Sequence, residues 1–217
     1  MLILAREVHG KLPTVQIREL SVPGSYVISP ILRPDDRGVF FESYRFDILG
    51  EVIGHPLTLR QGNTSVSRKG VVRGIHYADV PLGQAKYVTC THGAVLDYVV
   101  DLRVGSPTFG MWDSVRLDDV DFRSVYIAEG IGHAFIALTE RATVSYLVSD
   151  VYRPEREHGV NPLDASIGLV FPTEAGDPLL SDKDVAAPGL DAAADAGLLP
   201  DFTQVSAFYA SLDEKRN

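Results

Sequence analysis

Apolar and polar residues alternate in short runs along most of the chain, and Gly, Pro or Asp bounds each run. Such runs predict strands, because successive side chains on a strand point to opposite faces. Ten are predicted, over 26–32, 38–44, 62–67, 71–77, 86–91, 94–102, 111–117, 124–127, 134–138 and 143–148. Near-regular spacing with turn residues between them points to an all-β sandwich or barrel rather than βαβ units. One helix is predicted in the first half, over 46–53. Strand-like runs stop after Pro172, and Asp, Ala, Pro and Gly dominate through Pro200. This stretch predicts a tail that wraps the domain, with short helices over 190–197 and 203–212. The chain is read as a single domain over 1–217, with its core at about 24–172 and its tail at 173–217.

Alternation also assigns faces. Ala94, Leu96, Tyr98, Val100 and Leu102 share one side of their strand, and Asp97 and Asp101 share the other. Over 143–149, Val144, Tyr146 and Val148 form the apolar face against Thr143, Ser145 and Ser149, so Tyr146 points inward.

Composition narrows the class. The 217 residues are 45% hydrophobic and 23% charged, which is ordinary for a globular chain and excludes disorder. The formal charge of −9 disfavours bulk binding to nucleic acid or to an anionic membrane. An anionic ligand must therefore meet a local basic pocket. A single cysteine, Cys90, excludes an internal disulfide and a cysteine-built zinc site. Arg6 and Glu7 interrupt the apolar start, and no run approaches the roughly 20 apolar residues of a membrane span. These features predict a soluble, cytoplasmic protein.

A few residues could carry chemistry. His76 sits near a strand end, on the side that regular alternation shares with Val72; it reads either as a satisfied core histidine or as a general base. Regular alternation would put Arg73 on the opposite face, but Gly74 lies between them, and a glycine inside a strand often marks a bulge. A bulge there would turn Arg73 and His76 into one pocket. Lys86, at a strand start, reads by itself as a solvated edge residue. His133 follows two glycines in Glu129-Gly-Ile-Gly-His-Ala-Phe135 and, with His76, raises a metal reading. Too few ligands are visible to carry it, because the His-x-His pair of metal-binding jelly rolls is missing at His76-Tyr77-Ala78. An inward Tyr146 facing an open pocket could protonate a carbanion or enolate. Asp35-Asp-Arg-Gly38 and Asp182-Lys-Asp184 read as turns, and Gln61 and Asn63 share one strand face. No phosphate-binding glycine loop or nucleophile elbow is present.

Taken together, several segments resemble the dTDP-4-dehydrorhamnose 3,5-epimerase family. They include Asp35-Asp-Arg-Gly-Val-Phe-Phe-Glu42, Gln61-Gly-Asn63, Gly70-Val-Val-Arg-Gly-Ile-His76 and Gln84-Ala-Lys86. Further on come Gly93-Ala-Val-Leu-Asp97, the segment 100–110, Glu129-Gly-Ile-Gly-His-Ala-Phe135, Tyr152-Arg-Pro-Glu-Arg-Glu157 and Leu180-Ser-Asp-Lys-Asp184. Their order and spacing are specific as a set.

The resemblance implies a metal-free, cupin-type jelly roll without a cofactor. It also implies a homodimer whose N-terminal strand crosses to the partner. The implied reaction inverts a dTDP-4-keto-6-deoxyhexose at C3, C5 or both. Each of those C–H bonds is acidic because it is alpha to the C4 ketone. Inversion calls for a base on one face, an acid on the other, and a cation near the enolate oxygen. On that basis His76 is the expected base, Asp184 the carboxylate that orients it, Tyr146 the acid and Lys86 the enolate's cation. Expected substrate-binding residues are Arg37, Glu42, Gln61, Asn63, Arg73, His133, Glu157 and Lys183, with Tyr152 packing near the nucleotide or sugar. Two segments depart from the rhamnose-pathway members: Gly130-Ile-Gly-His-Ala-Phe135 replaces Gly-Phe-Ala-His-Gly-Phe, and Asn161-Pro-Leu-Asp164 replaces Trp-Asp-Asp. These versions resemble members serving antibiotic deoxysugars, some of which invert one centre. Competing expectations are a metal-dependent cupin, a non-catalytic nucleotide-sugar binder and a 3,4-ketoisomerase of the same architecture.

Overall fold

The computed structural model describes residues 2–3 and 15–214, with side chains from 15 to 212. Most of the apolar start read at residues 1–5 lies outside the described residues.

The first half holds strands β1 (Leu2–Ile3), β2 (Val15–Glu19), β3 (Ser25–Pro30), β4 (Arg33–Asp35) and β5 (Gly38–Phe40), then helix α1 (Phe46–Ile53). Strands β6 (Gln61–Ser67), β7 (Val72–Ala78), β8 (Lys86–His92) and β9 (Ala94–Asp101) follow. The second half adds β10 (Trp112–Asp118), β11 (Ser124–Ile127), β12 (Ile131–Ala137), β13 (Ala142–Val148) and β14 (Glu157–Gly159). Helices α2 (Asp182–Val185), α3 (Leu190–Asp195) and α4 (Phe202–Glu214) complete the tail. Helix α1 stands at the expected positions, and its C-terminus is closed by Gly54 at φ +87°, whose N–H bonds to the Gly50 carbonyl.

Among the described residues, every pairing between these strands is antiparallel. One sheet runs β1-β2-β3-β11-β8-β13-β6, a second runs β10-β9-β12-β7-β14, and β4-β5 is a separate hairpin. The sheets form a cupin-type jelly roll that stays open at its edges. One apolar cluster joins their facing sides, with Val88, Cys90 and Val144 from the first sheet and Val95, Val99 and Phe135 from the second. Another covers the outer side of the five-stranded sheet, where Ile75, Tyr98, Val100 and Ile136 lie under Val160 and Ile167 of the preceding segment and Leu190 and Ala193 of the tail. No helix among the described residues is long and apolar enough to cross a membrane.

Strand β9 corrects a simple reading of alternation. Its apolar even positions face the tail, while Val95, Asp97, Val99 and Asp101 face the space between the sheets. Both carboxylates are buried, which is costly for an unpaired charge. Asp97 has a distant partner that local sequence does not display, whereas the partners of Asp101 follow it within seven residues. Asp97 bonds His133, and Asp101 takes two hydrogen bonds at 2.8 Å from Arg103 and one each at 2.6 Å from Ser106 and Thr108.

The bulge at Gly74 is present. His133 lies opposite His76 and Phe135 opposite Arg73, so three steps on β7 match two on β12. Gly74 has φ +124°, and a Cβ there would lie 2.4 Å from the His133 carbonyl oxygen. Beyond the bulge the faces switch. Val72, Ile75 and Tyr77 pack outward beneath the tail, while Arg73 and His76 both turn to the cavity. His76 therefore does not share the side of Val72.

Candidate active site

Between the sheets opens a cavity of about 540 Å³. Its seven-stranded wall follows from register. Val148, Tyr146 and Val144 on β13 lie opposite Lys86, Val88 and Cys90 on β8, and opposite Gln61, Asn63 and Ser65 on β6. Polar groups thus stand at one end of three neighbouring inward rows, above an apolar floor. Gln61 donates to Asn63 Oδ1 at 2.7 Å and accepts from the Tyr152 N–H at 2.9 Å, which ties Tyr152 to this wall. Lys86 is buried at 5% exposure and is not the solvated edge residue its position suggests, because β11 and β13 flank it on both sides.

The five-stranded wall supplies Arg73 and His76 from β7, His133 from β12 and Glu157 from β14. Arg73 is held by a bond from Nε to Ser67 Oγ at 3.1 Å. The tail crosses this sheet at Leu179, whose carbonyl accepts from the Val72 N–H at 2.9 Å. That docking places α2, which is a short helix rather than a turn. Ser181 caps it, and its hydroxyl donates to Asp184 Oδ2 at 2.8 Å while accepting from the Asp184 N–H at 3.2 Å. The other oxygen of Asp184 accepts from His76 Nε2 at 2.7 Å. A carboxylate can only accept here, so Nε2 carries the proton and Nδ1 keeps a lone pair.

Electrostatics separate the roles. Burial raises the Asp184 carboxyl, but hydrogen bonds from His76 and Ser181 outweigh it and hold the group below its usual range. Burial raises the Tyr146 hydroxyl; Arg73 opposes and Glu157 adds, leaving a phenol that keeps its proton. Burial lowers the Lys86 ammonium, and Glu157 and Glu129 resist. Burial raises the Asp97 carboxyl, opposed by its 2.7 Å bond to His133.

Of the expected residues, His76, Asp184, Tyr146, Lys86, Gln61, Asn63, Arg73, His133, Tyr152, Glu157 and Lys183 all line the cavity. Arg37 and Glu42 do not. Arg37 is exposed at the β4–β5 turn and bonds Asp35, and Glu42 pairs with Arg45 at 3.2 Å. Sequence reasoning missed Arg68, Gln84, His158 and Ser181 in the lining. Ser65 could have been found, since it continues the alternation of Gln61 and Asn63. Arg68, Arg73, Lys86 and Lys183 supply the local positive charge that the chain as a whole lacks. Among the described residues no group of three His, Cys, Asp or Glu side chains is arranged to hold a metal ion.

The sequence profile of the dTDP-4-dehydrorhamnose 3,5-epimerase family matches residues 19–192. A dTDP-4-dehydrorhamnose 3-epimerase of Streptomyces niveus is 54% identical over 89% of this chain and 92% of its own length. A dTDP-4-dehydrorhamnose 3,5-epimerase of Mycolicibacterium smegmatis is 53% identical over 90% of this chain and 96% of its own. Among solved structures, a 3'-monoepimerase of Streptomyces bikiniensis in complex with dTDP-quinovose superposes with a TM-score of 0.87 at 43% identity, covering 90% of this chain and 98% of that one. The fold and these relatives are those of sugar-nucleotide isomerases, and the chain belongs to the dTDP-4-dehydrorhamnose 3,5-epimerase family.

Proposed function

We propose that the chain inverts a dTDP-4-keto-6-deoxyhexose at C3, at C5 or at both. The observation that carries this reading is the placement of His76 and Tyr146 on opposite walls of one cavity, with Lys86 on the wall of Tyr146. A planar enolate lying between the sheets would meet a base on one face and an acid on the other. His76 Nδ1 takes the proton from the carbon alpha to the ketone. The C–H electrons move into the C3–C4 or C4–C5 bond, and the carbonyl oxygen becomes an enolate oxygen beside the Lys86 ammonium. Tyr146 then gives its hydroxyl proton to the opposite face of the carbon, and the ketone re-forms. The imidazolium and tyrosinate return to their starting forms by proton exchange with solvent. Asp184 supports the imidazolium through its 2.7 Å contact. Arg68, Arg73 and Lys183 suit the diphosphate, and Tyr152 suits an aromatic or sugar face.

Arg37 and Glu42 fit this reading in a homodimer. The β4–β5 hairpin exposes Val39 and Phe40, the latter at 67%, and neighbouring Phe46 is exposed at 68%. A second copy covering this surface would receive Arg37 and Glu42 near its own cavity. Sedimentation should give a dimer, and an active monomer would overturn this part. We place the activity in the cytoplasm, in line with a chain whose single cysteine, Cys90, is free and buried.

The test is proton NMR of dTDP-4-keto-6-deoxyglucose with the protein in deuterated water. C3 is the position shared by the names of both relatives, so the H3 signal should disappear as deuterium enters. Loss of H5 as well gives a 3,5-epimerase, and retention of H5 gives a single-site enzyme. No exchange at either carbon overturns the reading.

A further inference from the structure

Lys86 has a buried acidic neighbour that does not line the cavity. Across the sheet Lys86 pairs with Ile127 on β11 and Val148 on β13. Just beyond those partners stand Glu129 and Ser149. The Ser149 hydroxyl accepts from the Ala85 N–H at 2.8 Å and donates to Glu129 Oε1 at 3.1 Å. From the tail, the Tyr209 hydroxyl of α4 donates to Glu129 Oε2 and accepts from the Glu129 N–H at 3.0 Å. Gly83 closes the approach, because a Cβ there would sit 2.3 Å from Glu129 Cγ. Glu129 is thus buried and held by neutral donors, with no ion pair within 4.0 Å among the described residues.

We propose that Glu129, clamped by Ser149 and Tyr209, is a positioning residue that keeps Lys86 in its ammonium form, so that the C-terminal helix helps set the charge of the cavity. The role given to Lys86 rests on the epimerase reading. Burial works against the ammonium, and Glu157 from β14 and Glu129 work for it. The other titratable groups on the cavity walls are Tyr146 on β13, His76 and Arg73 on β7, His133 on β12, His158 on β14, Arg68, Tyr152, and Lys183 and Asp184 on α2. The Glu129 charge also acts on the buried phenols of Tyr126 on β11 and Tyr209, helping to raise both.

The test follows the lysine ε-methylene signals of the full chain by NMR as pH is raised. The sequence has five lysines, and the Lys86 signal is the one lost in Lys86→Met. Glu129→Gln removes the negative charge and should move the Lys86 midpoint down by about one pH unit. Tyr209→Phe removes a donor that stabilises and holds the carboxylate and should move the midpoint down by a smaller amount, which keeps the proposal testable if Glu129→Gln does not fold. Loosened packing would let water reach Lys86 and move the midpoint up instead. An unmoved Lys86 midpoint in the folded variants overturns the proposal. Substrate exchange by the unmodified chain is read separately, so failure of the epimerase reading is distinguishable from failure of this linkage.

Discussion

Asp184→Asn isolates what the carboxylate does for His76. The substitution keeps the shape of the side chain and removes its charge. At a contact of 2.7 Å the attraction between carboxylate and imidazolium is about 6 kcal/mol for an effective dielectric near 20. The His76 side chain is 38% exposed, however, and solvent screening reduces the useful part to roughly 2 kcal/mol. That difference alone slows proton abstraction about 30-fold. An amide can also present its NH2 to Nε2 and favour the wrong tautomer, which takes the expected loss in kcat to roughly 10²-fold or more. Deuterium entry at C3, followed by NMR, reads the rate, and near-UV circular dichroism checks that the variant is folded. Stability gives a second readout. The carboxyl is held below its ordinary value in the folded chain, so its contribution is full above the unfolded value of about 3.9 and is lost as pH falls through the lower folded value. The stability gap between the unmodified chain and Asp184→Asn should therefore close on acidification. An unchanged exchange rate in a folded Asp184→Asn protein would refute the dyad.

Lys86→Met should lower kcat by about 10²–10³-fold with little change in KM, because the ammonium acts on charge that develops in the transition state; steady-state kinetics with a raised KM and normal kcat would contradict this. Gly74→Ala places a Cβ 2.4 Å from the His133 carbonyl at φ +124° and should destabilise the fold by roughly 3 kcal/mol or more, read by urea unfolding. A variant as stable as the parent would mean that the bulge is not held by this close approach.

Much of the site can be read from local pattern because strands expose their faces by alternation. Tyr146 is assigned inward from Val144 and Val148, and the register on β8 and β6 bears this out. The glycine between Arg73 and His76 is also a local signal, and it does mark the bulge that turns both side chains to the cavity. What escapes local reading depends on distant partners. Asp97 falls on the polar side of its strand by alternation, yet it is buried because His133 on another strand meets it. Lys86 reads as an edge residue, since nothing near it in sequence shows that β11 and β13 will enclose it. Helix α2 has four residues and owes its place to the Ser181 cap and to the docking of Leu179 on β7, neither of which leaves a periodic pattern. Strands β2, β4 and β14 have five, three and three residues and were too short or too charged to stand out.

The central claim is that inversion uses two faces, with His76 taking the proton and Tyr146 returning one. Tyr146→Phe tests it directly, because the variant loses the donor and keeps the base, the cation and the ring. In deuterated water with dTDP-4-keto-6-deoxyglucose, NMR should show deuterium entering at C3 while the carbon keeps its original configuration. Inversion by Tyr146→Phe at the rate of the unmodified chain would contradict the account.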